Sequence, residues 1–426
     1  MDDLTAWQGR PAVSTAAEDL AEVPDALFSE GTRSDSNPKR PTESAFAFAD
    51  RVRQPYFERE RRWYEDAFGH YPAGADRSDL RARFRSSDDF QHGAAAWELY
   101  VHELWRLLGW TLQPHPETPD GKRRDFLAER DDDRFILECA VDNGSQRQAG
   151  EERRWAELWE AFKLLTIPNH RVMVHRRSIG ANALSAGALL AEAQRTLDTL
   201  PPGRRAIVLR VETDDGWQFH LEASPGGPLA GVVSCTFGGA MSMERRLYNP
   251  IRNRVKEKSK RSSRLEVPFV LALQIVNPMP IVEKDGAVRQ ALMGTMTQVL
   301  GLDLTTSGLR QNNDGPWVQG GRPRGRGLSA VLLHQGRLLG QSLPVLHHHP
   351  EPARPLLIEG LPFEQIRYDL ADPGFEVHEE ATADWNKVFG LPLEWPGPDD
   401  CFEGINTDAP ILAPRFWSPT ATDDRI

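Results

Sequence analysis

Between Arg123 and Asp142 the chain reads RRDFLAERDDDRFILECAVD, and two of its carboxylates stand where apolar residues would be expected. Asp125 opens the strand-like piece DFLAE, and Glu138 lies near the end of RFILECAV, across the acidic turn RDDDR. Burying an unpaired carboxylate costs several kcal/mol. Either the two share a cation, or they are ordinary surface acids on an exposed hairpin. A magnesium ion takes oxygen ligands in near-octahedral geometry, usually one or two protein carboxylates plus water, so Asp125 and Glu138 would suffice to hold one. A third carboxylate can come from the preceding segment. Glu98 and His102 are spaced i, i+4 and share a helical face with Trp105, whereas Glu103 is rotated away and is expected to face solvent.

The elements that must position these groups follow from periodicity. In DDFQHGAAAWELYVHELWRLLGW, Trp97, Val101, Leu104 and Leu108 form one apolar stripe, and Gly109 ends the helix. The two strands come next. A second helix, EERRWAELWEAFKLL, carries Trp155, Leu158, Trp159 and Phe162 on one stripe. Then come the strand HRVMVHRRS, the helix AGALLAEAQRTLDTL closed by PPG, and the strands RAIVLRVET and WQFHLEAS. Such an order implies a mixed α/β sheet. The turn-rich SPGGPLAGVV marks a boundary near residue 225. Beyond it lie the basic segment YNPIRNRVKEKSKRSSR, the strand VPFVLALQIV, the helix VRQALMGTMTQVLG, the Gly-rich NNDGPWVQGGRPRGRG and the strand LSAVLLHQ. Three parts are therefore expected: a mostly disordered tail over 1–50, an α/β domain over 51–225, and a C-terminal α/β region over 226–426.

A helix Glu, a strand Asp and a Glu on the next strand form the pattern of the PD-(D/E)xK restriction-endonuclease-like nucleases, which this chain resembles. WELYVHELWRLLGW, HP, DFLAE and FILECA are similar to an uncharacterised bacterial family within that fold. The likeness continues through LWEAFKLLTIPNHRVMV, EKSKR, VPFVLAL, DGPW and LSAVLL to HHPEPARPLL, covering residues 85–360. The resemblance implies a restriction-endonuclease-like mixed sheet flanked by helices, with a C-terminal α/β extension. It also implies hydrolysis of DNA phosphodiesters with Mg²⁺ or Mn²⁺, Asp125 and Glu138 holding the ion and Glu98 supporting it. A role in genome or anti-phage defence, alongside other subunits of a defence complex, is the fold's association.

Two positions depart from the pattern. Arg124 stands where the family has Pro, and Ala140 occupies the place of the Lys in ExK. That Lys normally orients the attacking water and stabilises charge developing on the phosphate. A migrated base could be Lys122, Lys163 or Gln146. The alternative is a catalytically degenerate subunit that uses the same groove to bind DNA or a partner protein.

Between Arg252 and Arg264, seven basic residues meet one acid, Glu257. Arg252, Arg254, Lys256, Lys258, Lys260 and Arg261 are the candidates for phosphate contact, against a plain solvated surface. The net charge of −11 argues against indiscriminate nucleic-acid binding but leaves room for such a local patch. The Arg-containing loop GGRPRGRG reads more simply as a turn than as a second backbone grip. His347, His348 and His349 cannot converge on one ion from a rigid strand. Cys139 alternates with Glu138 and should be a small buried residue on the sheet's other side. The three cysteines form no CxxC pair. No apolar run reaches membrane-spanning length and MDDLTAWQGRP lacks the features of a signal peptide, so a cytoplasmic, non-membrane protein is expected.

Overall fold

The computed structural model describes residues 25–395, except 41, 120, 143–145, 228–230, 232, 238–247, 261–264, 277–283, 301–306, 313, 337, 340–342, 371–375, 382 and 393–394. Four helices come first: α1 (Ala45–Arg51), α2 (Pro55–His70), α3 (Ala75–Phe84) and α4 (Asp89–Leu107). They lead into β1 (Thr111–Pro114), β2 (Phe126–Arg130) and β3 (Asp133–Asp142). Next are α5 (Gln146–Phe162), β4 (His170–Ser178), α6 (Ala186–Thr199), β5 (Ala206–Glu212), β6 (Gln218–Pro225) and β7 (Val233–Phe237). The chain continues through α7 (Asn249–Ser259), β8 (Phe269–Ile275), α8 (Lys284–Met293), β9 (Met296–Leu300) and β10 (Ser307–Gln311). It closes with β11 (Val318–Gln319), β12 (Arg322–Pro323), β13 (Ala330–Gln335), β14 (Val345–His348), β15 (Gln365–Tyr368), β16 (Glu376–Glu379) and α9 (Trp385–Val388).

One eight-stranded mixed sheet, in the order β1-β2-β3-β8-β13-β14-β15-β16, forms the body. β1, β2 and β3 are antiparallel neighbours, whereas β8 runs parallel to both β3 and β13. Every residue of β8, FVLALQI, is buried, as expected of a strand covered on both faces. Its side chains divide by alternation. Val270 and Ala272 join the core beneath α1–α4, while Phe269, Leu271, Leu273 and Ile275 join a second core beneath α7 and α8. Each fully buried aliphatic or aromatic side chain is worth about 1.5–3 kcal/mol, so the two apolar faces of this strand hold the helical layers on either side.

Local signals set the helices that matter for the site. In α4, Asp88 caps the first turn by accepting from the Phe90 N–H, and Gly109 takes the positive φ of 82° that ends the helix. Trp97, Val101 and Leu104 are completely buried, and the Trp97 indole N–H donates to the Ala272 carbonyl at 3.0 Å, fixing α4 across the central strand. In α7 the two fully buried residues, Ile251 and Val255, are four apart and seat the helix on the opposite face.

The segment between β3 and β8 builds a second, four-stranded sheet, β5-β6-β4-β7, with its own core. Trp155, Leu158 and Phe162 of α5 and Leu197 of α6 pack there on Val172, Val174 and Leu221. The division expected near residue 225 does not separate the sheets, because β7 pairs with β4 and β8 pairs with β3. The Gly- and Pro-rich stretch there is a connection within one sheet, and turn chemistry alone cannot distinguish the two cases. The expected helix VRQALMGTMTQVLG is likewise divided: α8 stops at Met293, Gly294 adopts φ 127°, and the chain enters β9. The general α/β class, a large mixed sheet flanked by helices, is what the chain forms. No described helix is long and apolar enough to cross a membrane.

Residues 25–50 are not the tail expected of them, whereas 1–24 lie outside the described residues. Leu27 and Phe28 are buried, and the Phe28 ring stacks on Phe46 at 5.8 Å and meets Phe84 edge-on at 5.5 Å. Two apolar residues in a polar stretch are too few to give a periodic signal, yet enough to anchor it. Phe28→Ala should therefore lower stability by about 3–5 kcal/mol in urea unfolding, whereas a disordered tail would leave the midpoint unchanged.

Candidate active site at a strand fork

The ladder between β2 and β3 runs up to the pair Phe126–Leu137. Just before it, Asp125 turns its side chain into the fork, where Oδ2 accepts the Cys139 backbone N–H at 2.5 Å. Its carboxyl is pushed up to about 7, chiefly by burial and then by the charges of Glu98 and Glu138. The Cys139 N–H and Lys258 oppose that shift. The structure thus brings the fields of the three expected carboxylates together at Asp125. Burial, then Asp125, pushes the Cys139 thiol well up, which disfavours the thiolate a nucleophile needs.

Glu98 reaches this region from the buried face of α4. Oε1 accepts from the Tyr71 hydroxyl at 3.0 Å, and Oε2 accepts from Arg83 at 2.9 Å. Burial followed by Glu98 raises the Tyr71 phenol far above its ordinary value, so it stays a proton donor. His102 is buried too, but packs between the Tyr71 and Phe126 rings. Burial, then Arg106, lowers its pKa to about 4 and keeps the ring neutral. Glu103 was expected in solvent and is instead buried, paired with Arg106 at 2.8 Å and His70 at 3.2 Å. These partners, one on α2 and one a turn later on α4, are what make its burial tolerable.

Glu138 sits on the other side of the fork, where β3 faces α7. Its neighbours by alternation, Ile136 and Ala140, both join the core that holds Ile251 and Val255. Lys258, from the last turn of α7, donates to Glu138 Oε1 at 2.5 Å. Arg124, only 1% exposed, approaches Oε2 at 3.4 Å. A cation therefore stands beside the strand Glu although Ala140 supplies none. The linear ExK pattern could not have found Lys258, but a helical reading could: Ile251, Val255 and Lys258 are spaced four and three apart and share one face.

This placement divides the basic segment. Arg252 pairs with Asp314 at 3.0 Å, and Arg254 reaches Glu257 and the Val141 carbonyl, each at 3.4 Å. Lys258 points inward, while Lys256 and Lys260 are exposed and Arg261 lies outside the described residues. Of the candidate migrated bases, Lys122 is exposed and Lys163 pairs with Glu160 at 3.5 Å; the side chain of Gln146 lies outside the description. The three consecutive histidines diverge, His347 to the Tyr368 hydroxyl, His348 to Gln365 and His349 to the Arg324 carbonyl. In GGRPRGRG, Gly320 and Gly321 turn a short hairpin at φ 58° and 74° between β11 and β12.

Asp125 and Glu138 are hard oxygen donors, as Mg²⁺ requires, and the opposed ionisation of Asp125 is what a divalent charge would relieve. The three carboxylates do not form a set whose oxygens all lie within 4.8 Å of one another. The donor chemistry of Asp125 and Glu138 fits a two-carboxylate site, and Tyr71 and Arg83 fix the Glu98 carboxylate near it. Comparison with family models, with curated proteins and with solved structures returned no match in any of the three.

The Asp125 shift has a defined sign. A carboxyl raised from 3.8 to about 7 favours the folded state below the unfolded value, and that contribution is lost as pH rises through about 7. Metal-free protein should lose up to about 1.4 kcal/mol per pH unit from this group between those limits, and nothing further above them. Asp125→Asn should remove that slope, so that the difference in unfolding free energy between the two proteins grows with pH and levels off above about 7.

Proposed function

We propose that this chain is a Mg²⁺-dependent DNA endonuclease of the restriction-endonuclease-like class, in which Lys258 of α7 stands in for the basic residue absent from β3. The observation that carries this reading is the 2.5 Å contact between the Lys258 ammonium and Glu138, made by a side chain 120 positions along the chain. Ala140 leaves the strand without a Lys, and α7 returns one to the same carboxylate. A role in genome defence rests on the fold class alone.

In this reading Asp125 and Glu138 would hold the ion, whose chemistry there would be Lewis-acid polarisation of the phosphate and acidification of a bound water. The chain's own groups do the remaining work. Lys258 and Arg124 fix the Glu138 carboxylate by ion pairs, and the Lys258 ammonium would meet negative charge developing on a phosphate oxygen. Tyr71 and Arg83 orient the Glu98 carboxylate, which acts on Asp125. Asp125 is poised to gain or lose a proton near neutrality, which suits a group whose ionisation is tied to ligand binding. Lys256, exposed on the same helix, and Lys260, exposed at its C-terminal cap, supply the phosphate contacts that bring DNA to the fork.

One observation favours the alternative of a binding-only subunit. All three carboxylates already have protein partners: Tyr71 and Arg83 for Glu98, the Cys139 N–H for Asp125, Lys258 and Arg124 for Glu138. Such a set can persist as a structural charge network without an ion.

Cleavage of plasmid and linear DNA with Mg²⁺ or Mn²⁺ separates the readings. Asp125→Asn, Glu138→Gln and Lys258→Met should each lower cleavage by about 100-fold or more while DNA binding persists. Glu138→Gln combined with Lys258→Met should be little worse than either alone, because the two act as one unit. Stability should respond in opposite senses. Glu138→Gln leaves Lys258 and Arg124 without their buried counter-charge and should cost about 3–5 kcal/mol, whereas Asp125→Asn relieves repulsion. Wild-type protein that cuts no substrate and gains no thermal stability from either metal would establish the binding-only subunit. Independently, neutralising Lys256 and Lys260 should flatten the salt dependence of DNA binding by about 0.9 log unit for each phosphate no longer neutralised; an unchanged slope assigns both to plain surface.

A further inference from the structure

The four-stranded sheet carries a cluster that the nuclease reading does not use. Val172 and Val174 of β4, with Phe219, Leu221 and Ala223 of β6, face the core under α5 and α6. Alternation places His175, His220 and Glu222 on the opposite face. His175 and His220 are directly paired across the two antiparallel strands. Their rings stack at 4.6 Å between centroids with 19° between planes. Glu222 lies two residues from His220 on the same side, with Oε2 3.8 Å from His175 Nε2. One ligand atom from each of the three lies within 4.8 Å of the other two.

We propose that His175, His220 and Glu222 form a binding site for a first-row divalent transition metal, with Zn²⁺ as the ion it takes in preference to Mg²⁺.

The chemistry favours that class. Two imidazole nitrogens and one carboxylate oxygen are borderline-soft donors suited to Zn²⁺, whereas Mg²⁺ selects oxygen. A 3.8 Å approach is too long for a hydrogen bond between His175 and Glu222. It is near the separation of roughly 3.3–3.5 Å between two ligands around a tetrahedral ion at about 2.0–2.2 Å from each. Glu222 is also oriented from behind: Arg205 donates to Oε1 and leaves Oε2 turned toward His175. Holding a ligand carboxylate by its other oxygen is how second-sphere groups fix a metal site. The charges of Arg205, of Arg177 and of Arg210, which pairs with His220 across β5 and β6, count against a cation, and the Glu222 carboxylate offsets one of them. Each of the three side chains is half-buried, so solvent can complete the coordination. An ion there would clamp β4 to β6, two strands of a sheet inserted between β3 and β8 of the main body.

The test uses full-length protein stripped with chelator. Zn²⁺ titration by calorimetry should show one equivalent bound, with a rise in Tm, and Co²⁺ should give the intense visible bands of a tetrahedral nitrogen-ligated ion. His220→Ala and Glu222→Gln should each weaken Zn²⁺ binding about tenfold or more. Asp125→Asn should leave it unchanged, which separates this site from the strand fork and from the fate of the nuclease reading. The proposal is overturned if stripped wild type shows no saturable binding, or if a folded His175→Ala/His220→Ala protein binds as tightly as wild type. Should that double variant not fold, the Co²⁺ spectrum of wild type decides, since the weak bands of an octahedral oxygen-ligated ion would overturn the assignment.

Discussion

A carboxylate placed on a buried strand needs cations, and the structure around Glu138 is arranged by that need. Arg124 comes from the residue before the strand fork, and Lys258 comes from a helix on the far side of a long insertion. The Arg124 pair needs only the β2–β3 hairpin, but Lys258 is 120 positions from Glu138, so its ion pair cannot form until β3 and α7 are both in place. A buried pair of this kind contributes little net stability, because desolvation offsets most of the attraction. Its effect is on specificity: any packing that withdraws Lys258 from Glu138 leaves a buried charge uncompensated. The orientation of α7 is therefore constrained twice, by Ile251 and Val255 in the core and by Lys258 at its end.

Asp125 shows the opposite electrostatic condition only a strand away. It accepts one backbone N–H but faces two other carboxylates in a buried setting, and its charge is disfavoured, whereas Glu138 has two cations against it. Two acids with opposed environments at one fork are a common arrangement for proton and metal chemistry. The same pair of environments also explains why removing the two charges is not equivalent for folding, even though both charges would serve one ion.

The three-layer body accounts for how these groups meet. Side chains of β3 alternate between the α4 core and the α7 core, so Glu138 and Cys139 are assigned to opposite faces by the pleat alone. Glu98 belongs to the α4 layer and Lys258 to the α7 layer. Both act on Asp125 and on the neighbouring Cys139, where the ladder ends and the strand pair opens. The end of the β2–β3 ladder, rather than either face, is where chemistry from both layers can converge. The four-stranded sheet, with its separate core under α5 and α6, is a self-contained insertion whose outer face is available for other work.

Much of this was legible in the residues themselves. The stripe Trp97, Val101, Leu104 defined α4 and its Gly109 stop, the alternation around RDDDR defined two adjacent strands, and the apolar run FVLALQI defined a doubly covered strand. Local periodicity is written in consecutive positions, so a single sequence exposes it. The placement of Asp125, Glu138 and Glu98 in one region follows from those elements in their order. What periodicity cannot express is a contact between elements far apart. The parallel pairing of β3 with β8 across an inserted sheet, the burial of Leu27 and Phe28, and the partners of Glu103 are of that kind. So is the arrival of Lys258 at Glu138. A basic run reads as surface charge until the fold turns one member inward, because a long side chain at a helix end can point either way. Only the packing of α7 on β8, which brings its last turn to Glu138 of β3, decides which.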